Sequence, residues 1–273
     1  MPEARRIGRL ARSRKPRQGK DLLCEWVFRP LAHLVVLALL PLRVPPPAVV
    51  LAGAGVGLAG AVEIGRHQFL AAALLLQLKT VLDNADGQLA RLSGRVTAFG
   101  RYLDSESDLL VNAALFVGLA TQVGPWLALA GFVLLTVVLS INFNVERLYR
   151  REQGETASAM PEADGSAAVL ARLYRAVYAP QDRLVEAYAA WRLRERPPQT
   201  RLAWHDPAAV AVIANFGLSP QLAAFGVCLA VGHPGAFVVV LFGEVLVIAG
   251  LAARREVLAS RASRASQLAV VVD

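Results

Sequence analysis

Four aspartates, Asp83, Asp86, Asp104 and Asp108, have the types and spacing that could do chemistry. At 3.6 residues per turn, Asp83, Asp86, Gly87 and Ala90 fall on one helical face, and Gly100, Asp104 and Asp108 share a face of a second helix. A turn around Gly94 joins the two helices antiparallel, so the acidic faces can meet. Carboxylates brought together repel, one pair at ~4 Å by about 4 kcal/mol at an effective dielectric near 20, so a cation must neutralise them. Hard oxygen ligands without His or Cys select one or two Mg²⁺ or Mn²⁺ ions. Gly87 and Ala90 leave room beside the ions, and Gly100 leaves matching room opposite. Arg91, one turn beyond Gly87, adds a guanidinium fork suited to phosphate. Together these residues accommodate a phosphate-bearing ligand in a metal-lined cleft. In a plainer alternative the aspartates pair with Lys79, Arg91, Arg95 and Arg101 and only stabilise a helical hairpin, which accounts for the charges but not for the glycines at matching positions.

The elements that must position these side chains follow from composition. The chain has 273 residues, of which 55% are hydrophobic, and a mean hydropathy of +0.45, yet it carries 29 Lys and Arg and a net charge of +8. That excludes an ordinary soluble domain and requires apolar runs and charges to be segregated. The sequence predicts an all-α integral membrane protein with six spans near 47–64, 68–91, 98–123, 125–146, 207–231 and 233–253. The stretch 21–43, interrupted by Glu25, Arg29, Pro30 and His33, is expected to form an interfacial amphipathic helix ahead of them. Pro45 to Pro47, Gly124 with Pro125, Asp206 capping a helix at Pro207, and Gly232 to Gly235 mark boundaries. Cys24 and Cys228 lie apart in apolar segments and read as inert thiols.

Arg and Lys concentrate in the arm 1–20, the turn 92–97, the stretch 147–206 and the tail 254–273, which places both termini and the four aspartates at the cytosolic side. In a bacterium this would be the inner membrane. The basic arm leads into the first apolar segment without a small-residue cleavage site, so it is expected to be retained. The insertion 152–205 between spans four and five is too short and charged for a core of its own. Gln153 to Gly165 reads as a linker. The remainder predicts two short amphipathic helices broken at Pro180, one with the stripe Val169, Leu173 and Val177, the other with Leu184, Tyr188 and Trp191, resting on the membrane surface or closing over the site as a lid.

The pattern Asp83-x-x-Asp86-Gly87-x-x-Ala90-Arg91, eight residues, Gly100-x-x-x-Asp104-x-x-x-Asp108 resembles the signature of the CDP-alcohol phosphotransferases at every defined position. The resemblance extends to six spans behind an interfacial helix, covering 47–253 as the catalytic domain, but not to the insertion or the arm. It implies that Asp83, Asp86, Asp104 and Asp108 hold two metal ions, with Asp108 also the general base. It further implies that Asp83, Gly87, Ala90, Arg91 and Gly100 bind the cytidine-diphosphate group, and that the protein is a homodimer.

The expected reaction is attack of an alcohol on CDP-diacylglycerol, giving a phosphatidyl product and CMP. The reverse arrangement, CDP-choline or CDP-ethanolamine with diacylglycerol as acceptor, differs only in residues outside the signature. Lys79, Arg147 and Arg150 are candidates for binding a phosphorylated acceptor, and the two arginines could equally be positive-inside anchors. Two other classes are less consistent. A cation transporter would place its carboxylates near the midplane on broken helices, not at one surface. Nucleic-acid binding by Arg5 to Lys20 is not needed, because cytosolic retention and attraction to anionic lipid explain that charge.

Overall fold

The computed structural model describes residues 21–154, 165 and 167–272, and over these the chain is helical throughout. The arm 1–20 and most of the linker lie outside the described residues. A π-helical turn, Cys24–Phe28, leads into α1 (Arg29–Leu39), followed by α2 (Pro46–Gly65), α3 (Phe69–Ser93), α4 (Ala98–Val123) and α5 (Pro125–Glu152). After the linker come α6 (Ala167–Leu193), α7 (Pro198–Trp204), α8 (Pro207–Ile213), α9 (Leu218–Ala230) and α10 (Ala236–Val272).

Among the described residues three helices are long and apolar enough to cross a bilayer: α2, α5 and residues 236–264 of α10. Residues 200–216 and 218–230 together make a fourth candidate, bent by 51°. This is the expected span 207–231, and the bend follows the 3₁₀ turn Ala214–Phe216. Asp206 caps α8 as predicted, accepting from the Ala208 N–H at 3.2 Å. With 25 and 26 residues, α3 and α4 have the length of spans but carry Lys79, Asp83, Asp86 and Arg91, and Arg101, Asp104, Glu106 and Asp108, respectively.

The central packing unit is α2 against α3 and α4. Glycines on α2 permit it, because a helix face without Cβ atoms lets neighbours approach closely. A Cβ at Gly57 would lie 2.5 Å from Val111, and one at Gly60 would lie 2.8 Å from Leu76. On α4, a Cβ at Gly118 would sit 2.4 Å from the Ala61 carbonyl oxygen, where backbone cannot yield. Gly118→Ala is therefore expected to lower stability by roughly 1–3 kcal/mol, as overpacking does. Thermal unfolding in detergent checks this against Gly55→Ala, whose Cβ meets nothing within 4 Å; equal melting of the two variants would contradict the close α2–α4 contact.

One expectation is overturned. The two short helices expected either side of Pro180 are one helix, α6, which continues through that proline. Proline removes one backbone hydrogen bond at a cost of ~3 kcal/mol or more. Here the ring sits on the exposed face, Ala171 and Ala189 are buried on the opposite helix face before and after it, and the Gln181 side-chain Nε2 donates to the Val177 carbonyl at 2.9 Å. Packing on both sides offsets the loss.

Candidate active site

The α3–α4 hairpin is closed by Gly94, whose φ of +68° lies where a side chain would be strained, with the Arg95 N–H reaching back to the Ala90 carbonyl at 2.9 Å. Thr97 caps α4 by accepting from the Gly100 N–H at 3.1 Å. Folding back at this point sets the acidic stretches of the two helices against each other. Asp83, Asp86, Asp104 and Asp108 come together, each within electrostatic reach of the other three.

Lys79 lies among them. Its ammonium donates to Asp108 Oδ1 at 2.7 Å and also to Asp83, and its side chain is 1% exposed. The lysine read from the sequence as a cation for the acceptor is thus placed inside the carboxylate group, in part as the hairpin-pairing alternative anticipated. One ammonium against four carboxylates leaves an excess of negative charge if all are ionised. Asp86 is 6% exposed, and its Oδ2 has no hydrogen-bond partner among the described residues. An orphaned buried carboxylate oxygen beside three other hard-oxygen side chains suits a divalent cation. Among the described residues no three Asp, Glu, His or Cys side chains are drawn in as a closed metal cage; Asp83 and Asp108 are turned toward Lys79 instead.

The residues expected to face the cytidine diphosphate neighbour the aspartates along α3 and α4. The Arg91 guanidinium lies over Gly87, where a Cβ would be 3.2 Å from Nη1. Ala90 is half-buried one turn from Asp86. Gly100 meets Thr97 Oγ1, 3.2 Å from where its Cβ would be, so its small size also serves the helix cap.

Arg147 and Arg150 stand apart, engaged with acidic side chains. Arg147 pairs with Glu186 at 2.9 Å and Asp182 at 3.8 Å on α6, donates to Asn144 Oδ1 at 2.8 Å, and lies over the Phe143 ring. Arg150 lies 3.9 Å from Glu146. These pairs tie the two arginines to side chains of α5 and α6 rather than to a headgroup or an acceptor.

Two features of the site were not read from the sequence. A Cβ at Gly53 on α2 would meet Asp83 Oδ1 at 3.0 Å, so this glycine makes room for the carboxylate; the Gly53-x-x-x-Gly57 spacing was its visible signal. Tyr178 on α6 donates to the Ser105 carbonyl at 3.3 Å, and burial with nearby Asp108 and Glu106 pushes its phenol well above the usual range, keeping it a neutral donor. The insertion therefore reaches the edge of the site.

The model of the CDP-alcohol phosphatidyltransferase family matches residues 31–190. The chain belongs to this family. The match runs from α1 through most of α6, so the family's extent includes much of the insertion that lies outside the signature. The chain is similar to the archaetidylinositol phosphate synthase of Aeropyrum pernix, at 32% identity over 132 residues, covering 44% of this chain and 62% of the relative. It is 33% identical over 79 residues to the archaetidylinositol phosphate synthase of Pyrococcus horikoshii, covering 29% of this chain and 42% of the relative. It is 42% identical over 52 residues to the bifunctional IPC transferase and DIPP synthase of Aquifex aeolicus, covering 19% and 12%. In each case the match spans less than two thirds of the relative's own length. The family consists of transferases of substituted phosphate groups that use CDP-linked donors and alcohol acceptors.

Proposed function

We propose that this protein transfers a phosphatidyl-type group from CDP-diacylglycerol to an alcohol, releasing CMP. The observation that carries the reading is the meeting of Asp83, Asp86, Asp104 and Asp108 across the α3–α4 hairpin in a family that transfers substituted phosphate groups. In this reading α3, α4 and the bent α8–α9 unit join α2, α5 and α10 as six spans, with α1 at the interface and the hairpin facing the cytosol. The exposed Leu34, opposite the buried Ala32 and Val36 on α1, and the exposed Trp26 in the turn before it support the interfacial position of α1. A homodimer is carried as part of the same proposal.

The four aspartates would hold one or two Mg²⁺ or Mn²⁺ ions, which when bound would neutralise the pyrophosphate and stabilise the leaving CMP. The chain's own groups do the rest. Arg91 over Gly87 offers a fork to a phosphate oxygen, and the bare surfaces at Gly87 and Ala90 admit the nucleotide. Asp108 takes the proton from the attacking hydroxyl, and Lys79 orients that carboxylate through its 2.7 Å contact. The bond formed joins acceptor oxygen to the lipid-side phosphorus, and the bond broken releases CMP. Assaying CMP release and the lipid formed from CDP-diacylglycerol with separate alcohols tests the reading; turnover only with CDP-choline or CDP-ethanolamine and diacylglycerol would reverse donor and acceptor.

Two of the relatives are named for a phosphorylated product, archaetidylinositol phosphate. This favours a phosphorylated acceptor such as inositol phosphate or glycerol phosphate, with Arg147 and Arg150 as the cations nearest in type to its second phosphate. Arg147→Ala is expected to raise the acceptor KM by about tenfold or more, the loss of a charge-assisted hydrogen bond, while the donor KM stays the same. Steady-state kinetics with each substrate varied in turn checks this. Equal rises in both constants would reduce Arg147 to holding α6 through Asp182 and Glu186.

A further inference from the structure

The inner face of α6 is satisfied. Ala167 and Ala171 pack with Tyr102 and Phe99 of α4, Ala189 and Leu193 with Leu148 of α5 and Ala259 of α10, and Asp182 and Glu186 turn to Arg147. The helix therefore crosses the ends of three long helices, all at the Arg-rich side of the bundle. At 1.5 Å per residue its 27 residues run about 40 Å across that rim.

The opposite face is apolar and uncovered. Because the helix does not break at Pro180, the two stripes expected separately become one, in which Val169, Leu173, Pro180, Leu184, Tyr188 and Trp191 recur at helical spacing. Val169, Leu184 and Trp191 are 67%, 73% and 72% exposed. An aliphatic and aromatic stripe of this length facing water would be costly for no structural return, since nothing on the inner face requires it.

The charges beside the stripe show what covers it. Both acidic residues of α6 face inward on Arg147, and Arg192 pairs with Glu256. Arg172 and Arg183 flank the stripe, exposed and with no carboxylate paired to them among the described residues. The outer surface is thus apolar along its centre and solely cationic in its unmatched charge. A second copy of this chain meeting the same face would set arginine against arginine. A bilayer surface rich in anionic headgroups answers both features: acyl chains and glycerol for the stripe, phosphates for the arginines.

We infer that α6 lies in the plane of the membrane, its Val169-to-Trp191 stripe buried among anionic lipids and its arginines on their headgroups. The helix that brings Tyr178 to the edge of the site is then seated by lipid on one side and by α4, α5 and α10 on the other. Anionic lipid thereby helps hold that edge in place. This goes beyond the proposed reaction and depends only on the bundle being embedded in a bilayer.

The test uses the full chain with Cys24→Ser and Cys228→Ser, carrying one spin-labelled cysteine at Leu184, in nanodiscs of phosphatidylcholine with or without phosphatidylglycerol. A label at Leu51, exposed on α2, serves as the lipid-facing control. With phosphatidylglycerol, the label at 184 should be more accessible to oxygen than to a water-soluble nickel reagent, as at 51. Replacing Arg172 and Arg183 by Gln should weaken the docking equilibrium about fivefold for each residue, read as a shift of the 184 label toward water. A label at 184 that stays in water in both lipids while 51 reports lipid overturns the inference. So does dipolar broadening between two labels at 184, which would make the stripe a contact between copies. A label at 51 reporting water would remove the bilayer itself, and the inference with it, without bearing on the transfer reaction.

Discussion

Asp108→Asn is expected to cut turnover by about 10²- to 10⁴-fold, the usual contribution of a positioned general base, while binding of CDP-diacylglycerol largely survives. The amide keeps the shape and can still accept a hydrogen bond from Lys79, which now lies 2.7 Å from Asp108 Oδ1. It cannot accept the proton of an attacking hydroxyl. The Asp108 side chain is 23% exposed, open enough for an acceptor to reach. Calorimetry with CDP-diacylglycerol, alongside CMP release, separates the two effects. Wild-type turnover would remove Asp108 from the base role, and loss of donor binding in step with turnover would make it chiefly a metal ligand.

Asp86→Ala is expected to abolish activity at every Mg²⁺ or Mn²⁺ concentration while leaving the protein at least as stable as the wild type. The two halves of this prediction have one cause. A buried carboxylate with an unpartnered oxygen, close to three other carboxylates and a single ammonium, is a burden on the fold that a bound cation relieves. Removing it eases repulsion in the empty protein and takes away a ligand. Metal should therefore raise the melting temperature of the wild type and not that of the variant. Thermal unfolding with and without metal, and activity with and without chelator, provide the readings. Wild-type activity that persists in chelator would sink the metal proposal, whatever the variant does.

The chemical core of the site was legible in the sequence because its signal is one of cost and spacing. Charges within apolar helices are expensive, roughly 2.5–3.5 kcal/mol each at a bilayer centre, so their presence already points to function. Spacings of three and four residues assign them to faces before any fold is known. The turn at Gly94 and the cap at Asp206 were readable in the same local way, since each rests on the conformational habits of one or two residues.

What the sequence by itself determined, then, is an all-helical chain with long apolar segments, a hairpin with Asp83, Asp86, Asp104 and Asp108 on facing surfaces, and membership of a family that works on phosphate groups. Tertiary structure decided the rest, wherever the deciding contact is distant along the chain. Lys79 could be seen one turn before Asp83, but its contact with Asp108, 29 residues away, exists only once α3 and α4 fold together. The glycines of α2 mark a close-packed face, yet that Gly53 makes room for Asp83 depends on the rotation of one helix against another. Pro180 should break a helix by its local chemistry, and α6 continues because packing at Ala171 and Ala189 outweighs the lost hydrogen bond. Arg147 looked equally suited to an acceptor or a headgroup, and folding turned it toward Asp182 and Glu186. Local preferences are written residue by residue, whereas the partner of a buried charge is chosen by the whole fold.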